Sequence, residues 1–380
     1  MSEEAALSEE PKSSEKSPSE PSIGMRLASS LYALGARAHR AVMRRSSPGR
    51  GRPACAVVSV GALTVGGAGK TPTAARLASQ LAARGFRVVL ASRGYRGQSR
   101  RRVTVVSDGV RIHSSVEWAG DESLVLAAHA QGVPVLVGAD RRIVGHHAVS
   151  VFDCEILVLD DGFQHHRIDR DFDLVCIDAV AGVGNGWTLP GGPLREPLAT
   201  LRHADAVCMI RDPLQEDEGN SGIPDLPAKL EPGLERWSAS RRAIDLVPLG
   251  GGVPRPLTFL NGRPVGLIAG LARPKSLRRS VEALGAQVRQ ERFFPDHHAY
   301  CAADVDGLME SVADVAVDFF VTTEKDALKI LPDWVPPASV WVLRLEMKFD
   351  QEEDRIDTLL AKLESSGRLR LGAPVDAEAS

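Results

Sequence analysis

The sequence lacks most of what would mark a membrane-spanning, secreted or nucleic-acid-binding protein. No apolar run approaches the roughly 20 residues that a helix needs to cross a bilayer. The cysteines are five in 380 residues (Cys55, Cys154, Cys176, Cys208 and Cys301) and have no paired spacing for zinc or redox chemistry. Most lie in apolar runs, which fits small core residues in a reducing, cytoplasmic setting. Neither charge sign dominates. With 46 Lys and Arg against 49 Asp and Glu, the chain has no excess of positive charge for wholesale nucleic-acid binding. Internal repeats are absent. Residues 1–22 are rich in Ser, Glu, Pro and Lys, read as a disordered tail, and lack signal-peptide character.

What is present begins with residues 64–71, Thr-Val-Gly-Gly-Ala-Gly-Lys-Thr. An apolar run, residues 54–60, precedes them, and an alanine-rich helical pattern, residues 73–83, follows. Strand, Gly-rich loop, Lys-Thr and helix is the layout of a phosphate-binding loop. Thr64, Val65, Gly66, Gly67, Ala68, Gly69, Lys70 and Thr71 are its expected nucleotide contacts. The glycines let backbone N–H groups face phosphate oxygens. Lys70 can reach the β- and γ-phosphates, and the Thr71 hydroxyl suits a magnesium ion. The general pattern starts with Gly, where this chain has Thr64.

At 380 residues two domains are the natural expectation. Residues 23–46 read as a basic amphipathic helix. Leu27, Leu31, Leu34, Ala38 and Val42 recur at helical spacing, flanked by Arg26, Arg37, Arg40, Arg44 and Arg45. Such a helix suits a membrane interface, or the body of the protein itself. Residues 47–211 alternate strand and helical patterns, as a mostly parallel sheet covered by helices requires. Strands are expected at residues 54–60, 87–91, 134–137, 155–159, 174–177 and 206–210. Residues 212–256 read as a linker or lid region, acidic and rich in Gly and Pro up to residue 232. Residues 257–371 read as a smaller α/β domain. It opens on a hairpin, 257–260 and 265–269, turning at Asn261 and Gly262. Residues 372–380 read as a frayed tail.

Several polar groups stand where chemistry is expected. Residues 155–161, Glu-Ile-Leu-Val-Leu-Asp-Asp, are an apolar run ending in Asp160 and Asp161. Carboxylates at the carboxyl end of a strand can hold a nucleotide's magnesium, or simply make a turn. Asp121, after Gly120, suits an N-cap as well as a catalytic role. His297, beside Asp296, suits a general base or an ordinary turn. The adjacent pairs His146-His147, His165-His166 and His297-His298 point apart on a regular element, which disfavours zinc. Residues 92–97, with Arg100, Arg101 and Arg102, form a basic loop suited to a phosphorylated substrate or merely to solvent.

Together these segments resemble the tetraacyldisaccharide 4′-kinase family of lipid A biosynthesis. The matching blocks run in order: 60–72, 92–95, 120–122, 137–141, 159–166, 184–186, 192–197, 294–298 and 322–326. The most specific are 159–166, Leu-Asp-Asp-Gly-Phe-Gln-His-His, and Leu-Arg-Glu-Pro within 192–197. The family also has Thr at the position of Thr64. This chain departs from it at Ala62, where Asn is usual, and at Ala68, where Thr is common.

The resemblance implies a P-loop NTPase-like α/β fold: a mostly parallel sheet with helices on both faces, a second smaller α/β domain and a β-hairpin lid. It implies transfer of the γ-phosphoryl of ATP to the 4′-hydroxyl of a tetraacylated glucosamine disaccharide 1-phosphate. The product is the bis-phosphorylated lipid A precursor. ATP and Mg2+ are the implied cofactors. Asp121 is implied as catalytic base with His297 as its partner, beside Lys70. Thr71, Glu122, Asp160, Asp161 and Glu196 are the implied magnesium group. The implied location is the cytoplasmic face of the bacterial inner membrane, with the inner-leaflet surface and the acylated lipid as partners. Neither nucleic acid nor an obligate protein partner is implied. The other class considered is a membrane-associated P-loop ATPase switch. Such proteins often carry Lys just before Gly-Gly-x-Gly-Lys-Thr, where this chain has Val65.

Overall fold

The structure is a computed structural model. It describes residues 20–45, 52–213, 233–271, 274–305, 316–336 and 338–369. Residues 1–19 of the expected tail 1–22, the expected tail 372–380, and most of the acidic stretch, 214–232, lie outside the described residues. Helix α1 (Ile23–Arg45) leads into one twelve-stranded sheet. In its first part run β1 (Ala56–Ala62), α2 (Lys70–Ala83), β2 (Val88–Ser92), β3 (Thr104–Asp108), α3 (Val116–Ala119), α4 (Asp121–His129), β4 (Pro134–Val137), α5 (Arg141–Phe152), β5 (Ile156–Asp160), β6 (Phe172–Asp178) and β7 (Ala206–Arg211). The second part holds β8 (Glu235–Pro248), β9 (Pro264–Ala269), α6 (Pro274–Ala283), β10 (Gln287–Phe293), β11 (Phe319–Thr323), α7 (Glu324–Ala327), β12 (Val340–Phe349) and α8 (Glu352–Ser365).

The strand order is β10-β9-β11-β12-β8-β7-β6-β1-β5-β2-β4-β3. Every pairing is parallel except β3 with β4 and β8 with β12. Alternation along β1 explains how both sheet faces are covered. Ala56, Val58, Val60 and Ala62 enter the core under α2, α4 and α8, while Val57 joins the opposite core under α5.

The antiparallel seam positions the site. β7 ends at Arg211, opposite Ser240 of β8, and Ser240 faces Lys348 of β12. From the other side β11 ends at Thr323, opposite Leu343, which faces Leu246 of β8. The carboxyl ends of both halves therefore converge on the middle of the β8–β12 ladder. That is where an open α/β sheet presents its ligand crevice.

Two expectations are corrected here. The hairpin at 257–269 does not form: Leu257–Leu260 is a 3-10 turn, and Asn261 and Gly262 lead from it into β9. Leu257, Phe259 and Leu260 pack on the second-half core from that turn, so burial rather than strand pairing sets their backbone. Within the expected linker, Glu235–Pro248 is the long seam strand β8. Charged Glu235, Arg236, Arg241, Arg242 and Asp245 flank buried Trp237, Ala239 and Leu246, and such a strand reads as polar in composition. Residues 302–305 are also helical.

Candidate active site

A cleft of about 1290 Å³ opens between the two halves. Residues 65–71 line one wall, and Asp296, His297 and Lys325 line the other. Arg241, Leu343, Leu345 and Glu346 from β8 and β12 also line it. The phosphate loop follows β1 as its sequence demands. Gly69 caps α2 with φ +74°, and an added Cβ would stand 3.1 Å from Ile210, so the position requires glycine. Helix α2 starts at Lys70, ahead of the helical pattern expected at residues 73–83. Thr64 is the exception among the expected nucleotide contacts: it is bridged to Leu194 at the foot of the loop and does not line the cleft. Val65 lines it, but its N–H donates to Pro193 O at 2.9 Å.

Asp160 and Asp161 end β5 beside this loop. Asp160 is buried and accepts from the Thr71 hydroxyl at 3.2 Å. Its Oδ1 has no hydrogen-bond partner among the described residues. Burial, with the neighbouring Asp161 and Glu122 carboxylates, pushes the Asp160 carboxyl up to about 7. Asp161 differs. Burial raises it too, but Lys70 at 3.6 Å and Arg195 at 2.8 and 3.0 Å outweigh that and hold it below the ordinary carboxylate value.

Glu122 lines the same cleft. Glu196 does not, and that magnesium assignment is corrected in position. Its buried carboxylate binds Arg40 of α1 and lies 3.4 Å from His166 Nε2. The reason is local. Leu194 bridges Thr64, the Arg195 N–H donates to Leu63 O, and the chain bends at Arg195 and Glu196, so the two side chains diverge. Arg195 turns to Asp161, and Glu196 turns away to α1. Among the described residues no three His, Cys, Asp or Glu side chains are arranged to hold a metal on their own. Magnesium needs no such cage: one or two carboxylates plus substrate phosphates and water are its usual partners. The Thr71 hydroxyl and the unpartnered Asp160 oxygen fit that requirement.

Asp121 is the first residue of α4, and Gly120 is the N-cap, so the N-cap reading of Asp121 is set aside. Its buried carboxylate accepts from the Glu122 N–H at 2.9 Å through Oδ1. Through Oδ2 it meets His297 Nδ1 at 2.7 Å. The two residues come from opposite halves of the chain, 176 positions apart. His297 has φ +64°, a conformation costly for a non-glycine residue and held here by its surroundings.

Cationic side chains from other segments also reach the cleft. Arg93, Arg141, Arg167 and Lys325 line it. Burial, partly offset by Asp160, pulls the Arg141 guanidinium down to about 10. Burial, with the Arg141 charge, also pushes His165 down to about 4, which keeps it neutral at pH 7. The Arg100–Arg102 run stays out of the cleft; Arg102 instead borders a shallow groove with Arg52, His146 and His147. Sequence reasoning assigned no role to Arg195 and Lys325. Both lie in recognised blocks, 192–197 and 322–326, and block membership was the available signal.

The N-terminal helix docks by polar contacts. The Ser29 hydroxyl donates to Thr188 O at 2.8 Å, and the Thr188 hydroxyl donates back to Ser29 O at 2.8 Å. Ser29 and Arg40 are buried, whereas Ile23, Leu27, Leu31, Leu34 and Val42 are exposed. Among the described residues no helix is long and apolar enough to cross a membrane.

Known proteins resemble this chain over most of its length. The family described as Tetraacyldisaccharide-1-P 4'-kinase matches residues 22–364. A tetraacyldisaccharide 4'-kinase of Anaeromyxobacter sp. (strain Fw109-5) is 39% identical over 87% of this chain and 88% of its own. Another, of Syntrophus aciditrophicus (strain SB), is 38% identical over 73% of this chain and 76% of its own. The crystal structure of "apo" LpxK from Aquifex aeolicus in complex with ATP superimposes with a TM-score of 0.69. That match has 26% identity and covers 88% of this chain and 97% of that one.

Proposed function

This chain belongs to the tetraacyldisaccharide-1-P 4′-kinase family, and from that premise we propose that it transfers the γ-phosphoryl of ATP to the 4′-hydroxyl of a tetraacylated glucosamine disaccharide 1-phosphate. The product is the bis-phosphorylated lipid A precursor. One observation carries the reading: His297 lines the same cleft as Lys70 and Thr71, and its Nδ1 meets the buried Asp121 carboxylate at 2.7 Å. Acceptor activation and phosphate binding thus share one space.

The chemistry follows from the groups present. A sugar hydroxyl becomes a useful nucleophile when a base takes its proton during attack. The Asp121 carboxylate accepts that proton, held in place by His297. The hydroxyl oxygen bonds the γ-phosphorus as the bond to the β-phosphate oxygen breaks and ADP leaves. Lys70 leaves its contact with Asp161 and neutralises phosphate charge. Thr71 and Asp160, with Glu122 nearby, would hold magnesium. That ion, when bound, offsets charge on the transferring phosphates. Arg195 keeps Asp161 aligned when Lys70 turns to the nucleotide. Placing base and partner on opposite halves links catalysis to the closeness of the two walls.

The exposed Leu stripe of α1 supports peripheral attachment to the cytoplasmic face of the inner membrane. The helix docks by its polar side and leaves its apolar side unpartnered, as an interfacial helix does. The test is a kinase assay with the acylated disaccharide 1-phosphate beside a deacylated version. Phosphate on the 4′ position of the acylated acceptor supports the reading. ATP hydrolysis without acceptor phosphorylation overturns it.

A further inference from the structure

Lys325 stands at the junction of β11 and α7, and its direction is set from beneath. The neighbouring Asp326 is fully buried. It accepts from the Gly270 N–H at 3.1 Å and from the Thr323 hydroxyl at 2.8 Å, and pairs with Lys329 at 3.0 Å. That anchor fixes the short turn and aims Lys325 into the cleft. There Lys325 Nζ donates to Asp296 Oδ1 at 2.8 Å. It lies 3.4 Å from His297 Nε2 and 3.9 Å from Asp121 Oδ2. A surface lysine in a chance contact would be mostly solvated; this side chain is 22% exposed.

The polarity of the chain of contacts is determined. The Asp121 carboxylate only accepts, so His297 Nδ1 at 2.7 Å is the donor. In the neutral ring Nε2 then carries the lone pair, and an ammonium group only donates. Lys325 and His297 therefore point their donors the same way, toward Asp121. Asp296 supplies the competing arrangement. Its Oδ2 lies 3.6 Å from His297 Nε2. Without Lys325, that carboxylate would compete with Asp121 for the ring proton through Nε2. The ring nitrogen that carries the proton is set by the bonds its partner makes.

We propose that Lys325 is a positioning residue for phosphoryl transfer, which occupies Asp296 and the Nε2 edge of His297 and so keeps Nδ1 donating to Asp121. This rests on Asp121 being the base. Lys325 acts through His297; no contact with substrate is assigned to it.

The experiment uses the full chain with Lys325→Met, Lys325→Arg and the double variant Lys325→Met/Asp296→Asn. Two quantities are measured: kcat and KM for ATP and acylated acceptor, and the His297 ring-nitrogen NMR signals of histidine-labelled protein, identified by their absence in His297→Gln. Lys325→Met is expected to lower kcat by about 10²-fold, the scale of a lost preorganising contact, with each KM changed by less than about twofold. Lys325→Arg should recover part of kcat, and so should the double variant, because it removes the competing carboxylate. The proton signal should leave Nδ1 in Lys325→Met and return in the double variant. Unchanged kcat in Lys325→Met, a change confined to KM, or a proton retained on Nδ1 would each overturn the proposal. If Lys325→Met does not fold, Lys325→Arg and Asp296→Asn carry the same nitrogen readout. An unmodified protein that transfers no phosphate would remove the proposed function instead, and the nitrogen signals would still decide the position of the His297 proton.

Discussion

At the scale of single residues the account distinguishes two carboxylates that the sequence presents as a matched pair. Asp161 is already neutralised by Lys70 and Arg195, whereas Asp160 is buried with one oxygen unpartnered among the described residues. Its ionised form therefore costs stability until a cation arrives. The sign follows from the shift. The folded value, about 7, lies above the ordinary 3.8, so the unfolded chain ionises first as pH rises. Stability is lost from about pH 4 to pH 7, by up to about 4 kcal/mol at about 1.4 kcal/mol per pH unit. Asp160→Asn should accordingly be more stable than the parent at pH 8, and the advantage should vanish near pH 4. Denaturant midpoints at both values check this. Kinase activity should fall in the same variant. For the chemical step, Asp121→Asn should lower kcat by about 10² to 10⁴-fold. Lys70→Ala should cost at least about 10²-fold, read in the same steady-state assay.

These positions were legible to different degrees. The phosphate loop is a local pattern, and residues 65–71 line the cleft as the sequence implies. Glu196 was not legible in this way. Its block is recognisable, but the local register of a bent segment decides whether Arg195 or Glu196 faces the cleft. That register depends on the bridge between Thr64 and Leu194. Lys325 was missed because its role exists only once Asp296, His297 and Asp121 meet across the two halves.

At the scale of elements, α1 is the informative case. Its periodicity is plain in the sequence, but the sequence leaves open which side docks. The structure turns Ser29 and Arg40 inward and leaves Leu27, Leu31 and Leu34 exposed. A deletion of residues 1–45 should abolish co-sedimentation with vesicles containing anionic lipid; unchanged partitioning would remove the anchor reading. The docking is held by the buried Arg40–Glu196 pair. Glu196→Gln removes the carboxylate that faces the buried Arg40 guanidinium, and removing one member of a fully buried pair costs on the order of 3–5 kcal/mol. Faster amide exchange across residues 23–45 is the expected signature. Strand β8 shows the opposite limit. Its scattered charges hide a fourteen-residue strand that joins the two halves.

At the scale of the whole molecule, the antiparallel β8–β12 seam is what makes one site from two α/β halves. It inverts the second half so that the ends of β11 and β7 face a common cleft. Alternating strand and helix patterns are readable in sequence, and they imply a mostly parallel sheet. The inversion is not readable, because it depends on long-range pairing between residues 239–248 and 341–349. The central claim is that this cleft joins ATP to a lipid-linked sugar hydroxyl. Its most direct test follows γ-phosphate-labelled ATP with the acylated disaccharide 1-phosphate, locating the transferred group by NMR. The account predicts label on the 4′ oxygen, in step with ADP formation and lost in His297→Ala. Label released as inorganic phosphate at the same rate with or without acceptor would contradict it.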